Sequence, residues 1–315
     1  MKVTDHINKS KSTLFSFEIL PPIKGRSINS IYESIDPLIE FNPSFINVTY
    51  HREEFIYKTK ELGYLEKVSV RKRPGTVGIC SAIINKYKID AVPHLICGGF
   101  TKEETENALI DLQYLGIDNV LALRGDPVKT EKDFIPKIGG HAYAVDLVKQ
   151  INDVNHGNLL DTESVDDFEF CIGVAGYPEK HIESPNLEID LINLKSKIDA
   201  GADYIVTQLF YDNSKFFEFK NRCKELGINV PIIPGLKPIS TLNQIKSIPK
   251  TFNIDLPFEL CDMLYKAKDD KEVNQIGIEW CIKQSKELMK SGVPCLHYYT
   301  MGKSESVKNI LKNVF

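Results

Sequence analysis

The sequence predicts a closed (β/α)8 barrel, a TIM barrel, as a single domain over residues 1–315. Two observations carry that expectation. Short, β-branched-rich apolar runs alternate with longer segments of helical spacing about eight times, the pattern of parallel βα units. Polar and charged residues also collect at one end of those runs, and a barrel carries its function at the C-terminal ends of its strands. The competing arrangement is an open doubly wound sheet, which calls for a glycine-rich phosphate turn after an early strand. The stretch "LPPIKGRS" after the first run is no GxGxxG, and no Walker A sequence occurs.

The strand-like runs are "LFSFEIL" (14–20), "FINVTY" (45–50), "VPHLIC" (92–97), "NVLALRG" (119–125), "FCIGVAGY" (170–177), "YIVTQLFY" (204–211), "VPIIPGL" (230–236) and "PCLHYYT" (294–300). In the first, Phe15, Phe17 and Ile19 share one face and Ser16, Glu18 and Leu20 the other. Pro21 and Pro22 end it, since neither can donate to a sheet ladder. Among the helical segments, 101–116 is the clearest: Thr101 and Glu104 form a capping box, Ala108, Leu109, Leu112 and Leu115 an apolar stripe, and Gly116 a stop. Segments 186–201, 214–227 and 273–292 repeat the design. The polar stretch 152–167 reads as a surface loop with a partial helix.

Bulk properties narrow the function classes. With 42% hydrophobic residues, 26% charged residues and a net charge of -4, the chain is an ordinary globular one with no electrostatic footprint for nucleic acid. The N-terminus lacks the apolar core of a signal peptide, and no apolar run approaches the ~20 residues of a membrane span. The seven cysteines are scattered without a CxxC, so buried thiols in a cytoplasmic setting are expected and a zinc site is not. The polar C-terminus "VKNILKNVF" gives no sign of an appended regulatory domain, hence an expectation of no allosteric control.

The strand ends carry Glu18; Thr49 and Tyr50; His94; Arg124 and Asp126; Tyr177 and His181; Gln208 and Asp212; Lys237; Tyr299 and Thr300. Each has a structural reading: Glu18 as a solvent-facing edge residue, His94 as a satisfied interior histidine, Gln208 as a partner of a neighbouring strand, Tyr177 as packing. Their gathering at the same end argues for a polar pocket over a packed barrel, and so for an enzyme. "ALRGD" (122–126) ends a strand in a planar cation, a glycine that allows close approach or positive φ, and a fixed negative charge. In "GVAGYPEKHIES" (173–184), small residues precede Tyr177, His181 and Glu183. His181 and Glu183 offer two ligands for a metal but no third at useful spacing. Asp190, Asn193 and Lys197 share one helix face, as a solvated face also would.

Taken in order, "FSFEILPP", "VTY", "PHLIC", "ALRGD", "GVAGYPEKHIES", "DLINLKSKIDAGADYIVTQLFYD" and "PIIPGLKPI" resemble the flavin-dependent methylenetetrahydrofolate reductases, from about residue 13 to about 303. The resemblance implies a barrel that holds FAD at its strand ends. It implies reduction of 5,10-methylenetetrahydrofolate to 5-methyltetrahydrofolate by NADH or NADPH, a step feeding methionine synthesis, in a homo-oligomer. It makes Glu18 the general acid and places Asp126 near the flavin and the folate. It puts Gln208 and Lys303 on the folate. It lines the FAD with Thr49, His94, Arg124, Gly125, Tyr143, Ala144, Tyr177, His181, Asp190, Asn193 and Lys197, the last a candidate for the pyrophosphate. Two stretches depart from the family's pattern. "VTYHREEFIYK" (48–58), followed by "VRKRPG" (70–75), stands where a glycine-rich stretch is usual, and Gly302 and Lys303 stand where Asn and Arg are common. The alternatives are another FAD-dependent barrel, such as one oxidising an amino acid, and a barrel without a cofactor.

Overall fold

In the computed structural model, which describes residues 1–128, 131–163 and 168–315, the strand–helix alternation is continuous from end to end. In chain order the elements are α1 (Val3–Lys9), β1 (Leu14–Ile19), α2 (Asn29–Ile39), β2 (Phe45–Val48), β3 (Glu54–Thr59), β4 (Leu65–Val70), α3 (Thr76–Tyr87), β5 (Asp90–Ile96), α4 (Lys102–Tyr114), β6 (Asn119–Leu123) and α5 (Ala144–Asn155). There follow β7 (Cys171–Gly176), α6 (Leu187–Asp199), β8 (Tyr204–Thr207), α7 (Asn213–Glu225), β9 (Ile232–Ile233), β10 (Gly235–Leu236), α8 (Gln244–Phe252), α9 (Phe258–Lys266), α10 (Asp270–Lys290), β11 (Cys295–Tyr299) and α11 (Glu305–Val314). The strand order is β10-β11-β1-β2-β5-β6-β7-β8-β9, parallel throughout. The pieces β9 and β10 are two halves of one strand interrupted at Pro234, one half pairing with β8 and the other with β11, so the ring closes. Proline has no N–H for the ladder, but its carbonyl still accepts from His297 N at 3.1 Å.

Alternation along each strand sorts side chains to two sides of the wall. Phe15, Phe17 and Ile19 of β1 face outward into the core shared with the helices. Inside, the lower layer is apolar: Phe45, Val92, Leu121, Cys171, Tyr204, Val206, Ile233 and Cys295, with Val3 of α1 packed beneath them. Helix α1, not foreseen from the sequence, closes this lower end. Val3 N donates to Asn119 Oδ1 at 2.8 Å and Asn119 Nδ2 to Met1 O at 2.9 Å. Six of the seven cysteines are buried.

The expected helices form close to their predicted limits. Thr101 and Glu104 make both bonds of the capping box, at 3.1 and 2.8 Å, and Gly116 takes φ +66° to leave the helix. Leu109 and Leu112 are buried, whereas Leu115 sits at the C-cap and is exposed. Of the stretch 152–167, residues 152–155 end α5, Asn158 and Glu163 form an isolated bridge, and 164–167 lie outside the described residues. The charged stretch 48–58 resolves into an antiparallel hairpin, β3 with β4, which pairs with no other strand. Its residues are mostly exposed, so no buried face disciplines their pattern into a recognisable alternation.

Tyr204 fills the lower layer through a slot left by Gly173 opposite it: a Cβ on Gly173 would stand 2.4 Å from the Tyr204 ring. The substitution Gly173→Ala therefore overpacks the barrel. Urea denaturation will show a stability loss of about 1–3 kcal/mol with the m-value unchanged.

Candidate active site

Above the apolar layer the barrel interior turns polar but stays uncharged. Ser16, Asn47, His94, Thr207 and His297 are all buried. Ser16 Oγ meets His297 Nδ1 at 2.9 Å. Thr207 Oγ1 accepts from Gly235 N at 3.0 Å, and Tyr299 OH donates to the Thr207 carbonyl at 2.6 Å. Two buried polar atoms, Asn47 Oδ1 and His297 Nε2, have no partner. None of Ser16, Asn47, Thr207 or His297 was singled out as a site residue from sequence. The signal was present: in β1, β2 and β11 a polar residue (Ser16, Asn47, His297) interrupts an otherwise largely apolar strand.

Glu18 stands on this layer, beside Asn47 and Tyr299 in register. Its Oε2 lies 3.3 Å from His94 Nε2, and Thr49 Oγ1 donates to its Oε1 at 3.1 Å. Geometry alone would make the first contact an ion pair. Burial acts against the charged form of both partners, however, and decides the matter. It raises the Glu18 carboxyl from 4.5 to about 7 and, with the charge of His51, lowers His94 to about 3. Below about pH 7 the pair is thus a neutral acid beside a neutral imidazole. The Thr49 hydroxyl works weakly against this, its single hydrogen divided between Glu18 and the Ile19 carbonyl at 2.9 Å. The side chains that desolvate Glu18 are those of the barrel interior. Phe15 and Phe17, on the opposite face of β1, pack toward the helices.

A second group of predicted residues is tied together along the rim above β6, β7 and α6. Arg124 grips Glu183 with two bonds of 2.6 Å and lies over the Phe134 ring at 5.0 Å. Glu183 N donates to His181 Nδ1 at 3.2 Å, so neither His181 nor Glu183 is left as a free ligand. His181 N in turn donates to Asp190 Oδ2 at 3.1 Å, and Tyr177 packs edge-on against the His181 ring. Gly125 takes φ +84° against Ile96, a conformation that lets the chain turn sharply at the strand end. Asp126 beside it is exposed, and its charge helps hold up the Arg124 guanidinium after the larger effect of Glu183. Lys197 Nζ reaches inward to the Ala175 carbonyl at 2.6 Å, and burial pulls it down to about 8.

Other predicted residues stand apart. Tyr143 is exposed where the chain enters α5, with Ala144 the first residue of that helix. Asn193 is exposed on α6, while Asp190 on the same helix is buried in bonds to His181 N and Ser184 Oγ. Gln208 follows β8 and accepts with Oε1 from the N–H of Leu209. Lys303 is exposed after β11; together with burial, its charge holds Lys237 down at about 8. Among the described residues no three His, Cys, Asp or Glu side chains gather as a metal site, and no helix is long and apolar enough to cross a membrane.

The architecture and these strand ends define a (β/α)8 barrel with a carboxyl group of raised pKa at the C-terminal end of its strands. The family is known as well: the chain belongs to the methylenetetrahydrofolate reductases, whose family model matches residues 2–315. It is 35% identical to "Methylenetetrahydrofolate reductase (NADH) 1" of Arabidopsis thaliana, over 100% of this chain and 51% of that protein. To the "5,10-methylenetetrahydrofolate reductase" of Escherichia coli it is 32% identical, over 92% of this chain and 86% of that one. The chain spans about half the length of the plant and yeast relatives, 51% and 48%. A Clostridium thermocellum protein described as binding two copies of 5-methyl-5,6,7,8-tetrahydrofolic acid shares the fold, with a TM-score of 0.60 at 15% identity over 99% of this chain and 97% of that one.

The raised Glu18 value has a consequence for stability. Between pH 4.5 and about 7 the folded chain keeps a proton that the unfolded chain releases. The Glu18 contribution is therefore fully present below 4.5 and lost as pH rises through 7. Relative to Glu18→Gln, the wild-type protein will lose about 3 kcal/mol between pH 4.5 and 8, measured by denaturant unfolding across that range.

Proposed function

We propose that this chain, acting as one barrel unit in the cytoplasm, reduces 5,10-methylenetetrahydrofolate to 5-methyltetrahydrofolate with FAD and NADH or NADPH. The observation that carries the reading is the neutral Glu18 carboxyl at the barrel mouth, in a chain of this family. The folate one-carbon unit bridges two nitrogens in a ring. Ring opening to an iminium needs a proton on the departing nitrogen. A carboxyl group that still holds its proton near neutral pH, fixed on a strand between Thr49 and His94, is suited to deliver it.

The rim residues fit an FAD. Lys197 is an inward-turned ammonium whose nearest bond is to a carbonyl rather than a carboxylate, the setting in which a diphosphate is welcome. Arg124, Gly125, Tyr177, His181 and Asp190 would hold the flavin side, together with Thr49 and His94. Tyr143, Ala144 and Asn193 would line the outer part. Bound FAD supplies the hydride chemistry. Asp126 sets a negative charge beside it, which lowers its potential and favours the cationic iminium of the substrate. Gln208 and Lys303 would orient the folate. Reductant and folate would use one mouth in turn, a ping-pong scheme, in a homo-oligomeric enzyme that supplies methyl groups for methionine synthesis.

The test is anaerobic spectroscopy of the purified protein. A yellow protein that bleaches with NADH or NADPH and recovers colour with methylenetetrahydrofolate is the expected result. A colourless protein that FAD does not reconstitute overturns the assignment. Glu18→Gln will still bleach, but will reoxidise with folate at least about a hundredfold more slowly, within the usual range for a lost general acid. Asp126→Asn will raise the flavin potential and slow the folate half-reaction, read by dye-coupled potentiometry and stopped flow.

A further inference from the structure

A cleft of about 640 Å³ opens on the barrel rim, beside the central mouth rather than over it. Its walls come from the loops after β1 and β2, the start of α3, the outer side of β5, and α4. Two lining residues are chain neighbours of the acid's partners: Tyr50 follows Thr49, and Leu95 follows His94.

Two exposed arginines, Arg26 and Arg71, line this space. Arg71 is held in place. Its Nη2 donates to Tyr50 OH at 3.4 Å, and the Tyr50 ring packs on Phe100 at 5.0 Å between centroids. The guanidinium lies against Gly75, where a Cβ would stand 2.8 Å from Nη2, so the missing side chain makes its room. Other cations of the hairpin base are satisfied within the protein: Lys72 pairs with Glu54, and Arg73 donates to the Pro21 carbonyl. Among the described residues no carboxylate pairs with Arg26 or Arg71. Of the two carboxylates in the lining, Glu104 is taken by Lys137 at 2.6 Å and by the Thr101 N–H, and Asp111 reaches neither arginine. The uncapped first turn of α3 adds positive potential to the same space, which makes an arginine there unfavourable for the protein alone. Two exposed arginines without a carboxylate partner among the described residues, lining one ligand-sized cleft, suit an anion from outside.

We propose that this cleft holds the anionic tail of a substrate bound at the central mouth. The proposal rests on the folate and nicotinamide reading of that mouth. The chemistry recognised is an oxyanion, supplied either by the carboxylates of a folate γ-glutamyl tail or by the 2′-phosphate of NADPH. Arg71 and Arg26 bind it as forks, and the α3 N–H groups complete the shell.

Two measurements test it. The first compares KM for mono- and triglutamyl methylenetetrahydrofolate, and for NADH and NADPH, in the wild type, Arg26→Ala, Arg71→Ala and Gly75→Ala. Gly75→Ala is allowed by its φ of -71° and displaces the Arg71 guanidinium without removing a charge. A glutamyl tail predicts that each arginine variant loses about tenfold of the triglutamate-over-monoglutamate preference, roughly one charged contact, with a smaller loss for Gly75→Ala. A shift in the NADPH-over-NADH ratio alone assigns the cleft to the phosphate. If neither ratio moves, the proposal is overturned. The second measurement is calorimetric titration with tri-γ-glutamate and with adenosine 2′,5′-bisphosphate. Binding that Arg71→Ala abolishes supports the site even where the wild type proves not to reduce folate, which would overturn only the proposed function. Absence of binding by both probes overturns the site itself.

Discussion

The contact between Glu18 and His94 governs the upper half of the barrel. Both groups are ionisable, His94 is buried and Glu18 keeps 13% of its side-chain surface exposed, and among the described residues no opposite charge is found that holds either one ionised. Two charges brought into such a space would each lose hydration worth several kcal/mol, more than a 3.3 Å contact between them returns. The pair therefore stays neutral up to about pH 7, and a carboxyl group that would release its proton near 4.5 in water keeps it over that range. His297 is driven the same way, downward to about 3, by burial and by the neighbouring His94. The layer beneath the mouth is thus polar, hydrogen-bonded and free of charge, and only its uppermost member titrates near neutrality.

The rim differs. Arg124, Glu183, His181 and Asp190 are chained by charge-assisted and backbone bonds; Arg124 holds the Glu183 carboxyl below its ordinary value, whereas burial lowers His181. The bidentate grip of Arg124 on Glu183 keeps a guanidinium plane fixed over Phe134 rather than extended into solvent. Dry interior and charged rim meet at Asp126, an exposed carboxylate one residue past a glycine that turns the chain. The strand ends thus place the largely enclosed Glu18 carboxyl of β1 and the exposed Asp126 side chain after β6 at the same end of the barrel.

The hairpin of β3 and β4 lies outside the barrel sheet. It pairs with no barrel strand, so its register is independent of the wall. Its base nonetheless anchors on the rim, through Lys24 N to the Lys72 carbonyl at 2.8 Å and through Arg73 to Pro21. Arg71 immediately precedes those anchored residues and lines the neighbouring cleft.

Much of this molecule was determined by sequence alone. Period-two runs split by helical spacing specify parallel βα units. Thr101 with Glu104 sets the start of α4, and the proline pair after Glu18 ends β1 where a strand must stop pairing. These are local rules, decided by dihedral preference and hydrogen-bond supply within a few residues. Tertiary structure decided the rest. That Glu18 faces His94 rather than solvent depends on closing a ring whose last strand is broken at Pro234. That Ser16, Asn47 and His297 point into one shared layer depends on register between strands far apart in the chain. The hairpin and α1 were not legible because one is too exposed to be patterned by burial and the other is defined by the barrel end it plugs. Desolvation arises from what the whole fold excludes, so the proton on Glu18 belongs to the assembled barrel and to no single stretch of its sequence.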